Sequence, residues 1–155
     1  DYIITWGGMD MGIDFFSFQT LWELLEQNDV VLTRRFLHSY AEENWGKRMA
    51  MQGHRLLFKL KTGRYLTDTT IGIRGFRADT LKKILAPLTD KQSEWFWRYG
   101  FEVWLLLQLV KSDFKTTTCW THLNKPTNSH LRIFGKNSFI HLFTPFWRKP
   151  NLRAK

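Results

Sequence analysis

The sequence predicts an α/β domain built on a partly parallel sheet, and three observations predict it. β-prone runs alternate with amphipathic helical segments, and parallel strands need crossover connections of that kind. Val30-Val31-Leu32 is apolar without alternation, the pattern of a strand covered on both faces. The 155 residues are 43% hydrophobic and 16% aromatic, enough for one packed core, short for two, and incompatible with disorder as the main state.

The elements follow in chain order. Residues 2–6 form a short β-prone run closed by Gly7-Gly8. Residues 15–27 carry helical spacing, with Phe18, Leu21, Trp22 and Leu25 on one face. Residues 29–33 read as a second, fully buried strand, and after a long polar connection residues 43–60 read as a helix rich in cations. Residues 65–76 hold a loop and strand with two glycines, and residues 78–85 a helix stopped by Pro87. Residues 95–110 are apolar enough for a largely buried helix, and residues 115–122 are β-branched enough for a strand. Four strands thus alternate with three or four helices. The tail from Ser138 to Lys155 mixes aromatics with Arg148, Lys149, Arg153 and Lys155 and suits an interface better than a core, although residues 139–146 packed back on the domain fit the same pattern.

Lys and Arg number 23 against 14 Asp and Glu, a formal +9, so a phosphate-bearing partner is expected: nucleotide, nucleic acid or lipid headgroup. The single cysteine, Cys119, excludes an intrachain disulfide and a Cys-rich zinc site and reads as a small buried thiol in a reducing compartment. The most apolar run, residues 101–110, is interrupted by Glu102 and Gln108 and does not span a bilayer. A start in mid-strand, on Asp1-Tyr2-Ile3-Ile4, carries the expectation of a longer parent chain.

Asp10 and Asp14 lie in a Gly-rich turn after the first strand, where a carboxylate can bridge magnesium or manganese to a diphosphate; Asp14 equally suits the cap of the helix beginning at Phe15. Arg34, Arg35, Lys47 and Arg48 either converge on an anion or remain solvated surface charge. Arg74 and Arg77 flank Gly75-Phe76 near Asp68, an arrangement for an ion pair or part of a site. The five histidines lack zinc-site spacing, and no nucleophile elbow, Walker loop or dinucleotide fingerprint occurs.

The order of these features resembles the second half of a family 2 inverting glycosyltransferase of the polyprenyl-phosphate, dolichol-phosphate-mannose-synthase-like branch. Residues 2–14 look like that family's strand and Asp-Ala-Asp turn, and Asn28-Asp29-Val30-Val31-Leu32-Thr33-Arg34 is similar to its "DVVIGSR" strand. Asn44-Trp45-Gly46-Lys47-Arg48 resembles the tryptophan-to-arginine segment, and Asp68-Thr69-Thr70-Ile71-Gly72-Ile73-Arg74 the "DPTSGFR" signature. Tyr99-Gly100-Phe101-Glu102 matches "GYGFE", and Asn128-Ser129-His130-Leu131-Arg132 looks like the end of the domain. Gly8 stands in the place of the first carboxylate of the triplet, Thr69 and Ile71 replace proline and serine, and the strand near Thr118 lacks the glutamate of "EVP".

The resemblance implies a GT-A fold, an open mixed sheet flanked by helices, with the nucleotide-binding N-terminal half missing. Residues 1–135 are then the C-terminal part of the catalytic domain, inactive alone, and residues 136–155 a basic aromatic tail at a membrane interface. It implies transfer from a nucleotide-sugar donor to a (poly)prenyl-phosphate or other glycan acceptor, at the cytoplasmic face of a membrane. Asp10, Asp68 and Arg74 are the implied catalytic residues, Arg34 and Arg48 the acceptor-phosphate ligands, and Asp10 the ligand of a divalent cation, Mg2+ or Mn2+. Two other readings stand beside it: a glycosyltransferase-like protein without activity, and a nucleic-acid-binding module in which Trp45, Trp95, Trp97 and Trp120 stack on bases. Against the last, the tryptophans fall mostly in helical apolar patterns, where core packing is expected.

Overall fold

The computed structural model describes residues 1–5, 12–13, 15–35, 45–66, 68–69, 73–121, 123–124, 144–148 and 150–152. Strand β1 (Tyr2–Thr5) and the two-residue β2 (Gly12–Ile13) precede helix α1 (Phe15–Gln27) and strand β3 (Val30–Arg35). Helix α2 (Trp45–Thr62), strand β4 (Arg74–Arg77) and helix α3 (Ala78–Leu85) follow. A π-helical turn, Phe96–Gly100, leads into α4 (Phe101–Lys111), then β5 (Thr116–Thr121), β6 (Leu123–Asn124) and a 3-10 turn, Thr144–Phe146.

Four strands form one mixed sheet in the order β1-β4-β3-β5, with β4 antiparallel to both neighbours and β3 parallel to β5. The expected α/β layer with a partly parallel sheet is therefore present. The pairing of β2 with β6 was not legible beforehand, since two residues on each side carry no period. At the start of the parallel pair, the Asp29 amide donates to the Lys115 carbonyl at 2.9 Å and the Lys115 amide donates to Asp29 Oδ2 at 2.9 Å. One side chain thus joins segments 86 residues apart and sets their register.

The continuous apolar run in β3 is explained by cover on both faces. Val31 packs with Leu21, Leu25, Ile73 and Cys119 under α1, and the Cys119 thiol is buried as expected. Val30 and Leu32 face Phe58 of α2, Leu81 of α3 and Leu105 and Leu106 of α4 in the larger core. The α1 face is narrower than its spacing implies: Leu21 and Leu25 are fully buried, whereas Phe18 and Trp22 are 36% and 44% exposed. The reason is the close approach of α1 to β4 at Gly75, which seats the two leucines and leaves Trp22 at the sheet margin, edge-on to Tyr2. Arg77 donates to the Glu26 carbonyl at 2.8 Å, and Asn28 to the Leu24 carbonyl at 2.8 Å, satisfying acceptors that the end of α1 leaves open.

Helix α2 stops at Gly63, whose φ of 71° and amide N–H, donating a hydrogen bond to the Lys59 carbonyl at 2.7 Å, form a left-handed cap. Helix α4 is apolar on nearly every side, and Val103, Trp104, Leu105, Leu106 and Leu109 are all buried. From the tail, Phe146 enters the larger core against His54 and Phe58. Asn151 exchanges hydrogen bonds with Gln92, and Leu152 bridges to Leu88. Residues 139–143 lie outside the described residues.

A Cβ on Gly75 would stand 2.5 Å from Leu21 Cδ2 and 2.8 Å from Leu25 Cδ1. Gly75→Ala should therefore force α1 off the sheet and cost about 1–3 kcal/mol in urea denaturation. An unchanged midpoint would show that the leucines swing aside freely.

Candidate functional site

Alternation along β4 decides what lies beneath the sheet. Gly75 faces α1, so Arg74 and Phe76 point to the opposite face, into the layer of α2 and α4. This places the Arg74 guanidinium at 2% exposure. Its charge is met by Glu102 in the first turn of α4, with which it forms a close ion pair. Asp68 and Thr69, just upstream of β4, are buried beside it, and His54 enters from the buried face of α2 with Nδ1 2.7 Å from Thr69 Oγ1. The Phe146 ring meets the imidazole edge-on with centroids 4.8 Å apart.

The electrostatics follow from that burial. Desolvation lowers the Arg74 pKa to about 10, and the Asp68 charge opposes the shift. Desolvation lowers His54 to about 4; Asp68 raises it and Arg74 lowers it further, so His54 is neutral at physiological pH. Burial likewise pushes the Cys119 thiol up to about 11, leaving it unreactive.

Asp68 and Arg74, singled out in the sequence, thus belong to one buried cluster, whereas His54, Thr69 and Glu102 were not assigned to it. Glu102 had a signal: an acid inside an apolar helical run needs a buried cation. His54 had one too, on the same helical face as Ala50 and Phe58. Asp68 and Arg74 are 7% and 2% exposed, and the cluster ties β4 to α2 and α4.

Arg34 lies elsewhere, near the carboxyl end of β3. Its guanidinium carbon stands 3.6 Å from the centre of the Trp120 ring, its register partner on β5. Arg34 Nε is buried and has no hydrogen-bond partner among the described residues. The carboxyl ends of parallel strands are where open α/β sheets receive ligands, and a stacked guanidinium keeps its edge available to an oxyanion. Thr121 Oγ1, one residue beyond Trp120, is also buried without a partner among the described residues.

Arg48 is exposed in the first turn of α2, on a different element from Arg34 of β3. Asp10 and Asp14 lie outside the described residues, as do residues 125–143 with Ser129 and His130. Among the described residues, no group of three or more His, Cys, Asp or Glu is gathered to hold a metal, and no helix is long and apolar enough to cross a membrane. The tryptophans depart from core packing: Trp104 is buried, but Trp45, Trp97, Trp120 and Trp147 are exposed, being placed at helix ends, a sheet edge or the tail.

Comparison with protein-family models, with curated proteins and with solved structures yields no match to this chain.

The His54 pKa fixes a pH dependence. An unfolded histidine takes up a proton near pH 6.5, whereas His54 in the folded protein resists protonation down to about pH 4. Its stabilisation is complete above 6.5 and lost as pH falls toward 4, a change of about 3 kcal/mol. Urea denaturation between pH 8 and 4 should show that loss, and His54→Asn should flatten it. A variant with the parental slope would remove His54 as its source.

Proposed function

We propose that this chain is the C-terminal part of the catalytic domain of a GT-A inverting glycosyltransferase, which moves a sugar from a nucleotide-sugar donor to a polyprenyl phosphate or a related glycan acceptor. The observation that carries this reading is the Arg74–Glu102 pair. The resemblance picks out the Asp68-to-Arg74 and Tyr99-to-Glu102 elements separately, and their charged residues meet in space across 28 residues of sequence. The open mixed sheet, with antiparallel β4 between β1 and β3, is further support.

In this reaction an acceptor phosphate oxygen attacks the anomeric carbon as the bond to the nucleoside diphosphate breaks on the opposite side. A phosphate acceptor is ionised at neutral pH, so catalysis rests on holding charge in place rather than on a strong base. Arg34, steadied by Trp120, holds the acceptor phosphate, and Arg48 supplies a second cation. Asp68 and Arg74 form the floor through the strand and loop they anchor. Asp10, an oxygen ligand suited to Mg2+ or Mn2+, would hold the divalent cation, which when bound offsets the charge of the diphosphate. With Gly8 in the place of the other carboxylate, Asp10 carries that role in the triplet alone.

The exposure of Trp45, Trp97 and Trp120 favours a second reading, a basic surface for single-stranded nucleic acid. The two separate in one set of assays, made on a chain that carries the nucleotide-binding half the first reading requires. Sugar transfer from a panel of nucleotide sugars to polyprenyl phosphate is expected, with Arg34→Ala raising the acceptor KM at least tenfold at an unchanged donor KM. No transfer with any donor, together with salt-sensitive oligonucleotide binding, would establish the second reading instead.

A further inference from the structure

Helix α2 has two apolar faces, and among the described residues only one is packed into the core. Ala50, Met51, His54 and Phe58 face the core. On the other side Trp45, Met49, Leu56 and Leu60 are 73%, 53%, 57% and 73% exposed. At 3.6 residues per turn, these four fall within about 60° of one another around the axis and extend along roughly 22 Å of helix. Arg48, Arg55 and Lys59 form a row along one flank of this stripe, by the same periodicity. The 18 residues of α2 contain no acid, and its last turn carries Lys59 and Lys61.

We infer that the outer face of α2 is a membrane-docking surface, on which the helix lies flat against a bilayer of anionic lipid. Trp45, Met49, Leu56 and Leu60 would enter the boundary between headgroups and acyl chains, and the flanking cations would meet lipid phosphates. A basic amphipathic helix with Trp and Leu on its apolar side has the composition such surfaces take up. Charge complementarity selects the occupant. A second copy of the chain would set two acid-free cationic helices against each other. Nucleic acid would satisfy the cations but leave Met49, Leu56 and Leu60 without a use, because aliphatic side chains do not stack on bases as aromatic ones do. An anionic bilayer satisfies both sets. Of the tail, Phe146 is already spent in the core, so the membrane face belongs to α2 rather than to that residue.

For its purpose, bringing the site to a lipid-borne acceptor, the inference rests on the reading proposed above. Vesicle binding is nonetheless measured without donor, acceptor or turnover, so either can fail alone. The 155-residue chain should co-sediment with vesicles of phosphatidylcholine and phosphatidylglycerol, and much less with phosphatidylcholine alone. Leu56→Gln combined with Leu60→Gln should weaken that binding at least tenfold without lowering the thermal midpoint, because both side chains are exposed. Arg55→Gln combined with Lys59→Gln should remove much of its salt sensitivity, while Trp147→Gln on the tail should leave binding intact. Failure of the parent chain to bind anionic vesicles, parental binding in the leucine variant, or a parental dimer that the leucine changes dissociate would overturn the inference.

Discussion

Burying the guanidinium of Arg74 constrains most of what surrounds it. A lone cation moved out of water is costly, and the cost is tolerated only where opposite charge and hydrogen-bond acceptors are brought to it. β4 puts Arg74 under the sheet because Gly75 must face α1, so the strand cannot turn the arginine outward without driving a side chain into Leu21 and Leu25. Glu102 must then stand in the first turn of α4, which fixes the entry angle of that helix and of the π-helical turn before it. Asp68 must come down beside β4, and Thr69 follows it to His54. Three helical or loop segments are thus referred to one strand.

The same arrangement separates support from contact. In the cluster below β4 Arg74, Asp68, Thr69 and His54 are buried, and the histidine is neutral because burial outweighs the attraction of Asp68. Arg34, toward the end of the parallel pair, has a buried Nε without a hydrogen-bond partner among the described residues, and Trp120 supplies it a flat face rather than a counter-ion. A guanidinium held by an aromatic ring keeps its full charge for an incoming anion, whereas Arg74 has already committed its charge to Glu102.

The local part of this architecture was readable in the sequence. Residues 15–27 and 78–85 match α1 and α3 end to end, the second because Pro87 stops it, and α2 is displaced from residues 43–60 by two residues at each end. β3 declared itself by its unbroken apolar run. The partners across the sheet were not readable. Arg34 meets Trp120 through a parallel register set by Asp29 and Lys115, and no periodicity reports a pairing over that distance. Asp68 and Arg74 stood out by their spacing, but His54 and Glu102 came into the cluster by tertiary packing alone. The exposed tryptophans escaped for the converse reason: helical spacing reports which residues share a face, not whether that face is covered, and α2 carries an apolar stripe on each of two sides.

If Arg74 organises its surroundings through Glu102, the two residues are energetically coupled, and a double-mutant cycle measures that directly. Arg74→Met, Glu102→Gln and the double variant would be compared with the parent by urea denaturation at neutral pH. The Glu102 side chain is 40% exposed, so solvent screens part of the attraction, and Asp68 supplies part of the compensation. The coupling expected is about 1–3 kcal/mol, with the double variant more stable than the two single losses added together. Additive losses, with coupling below about 0.5 kcal/mol, would mean that the pair does not organise the strand, the helix and the loop around it.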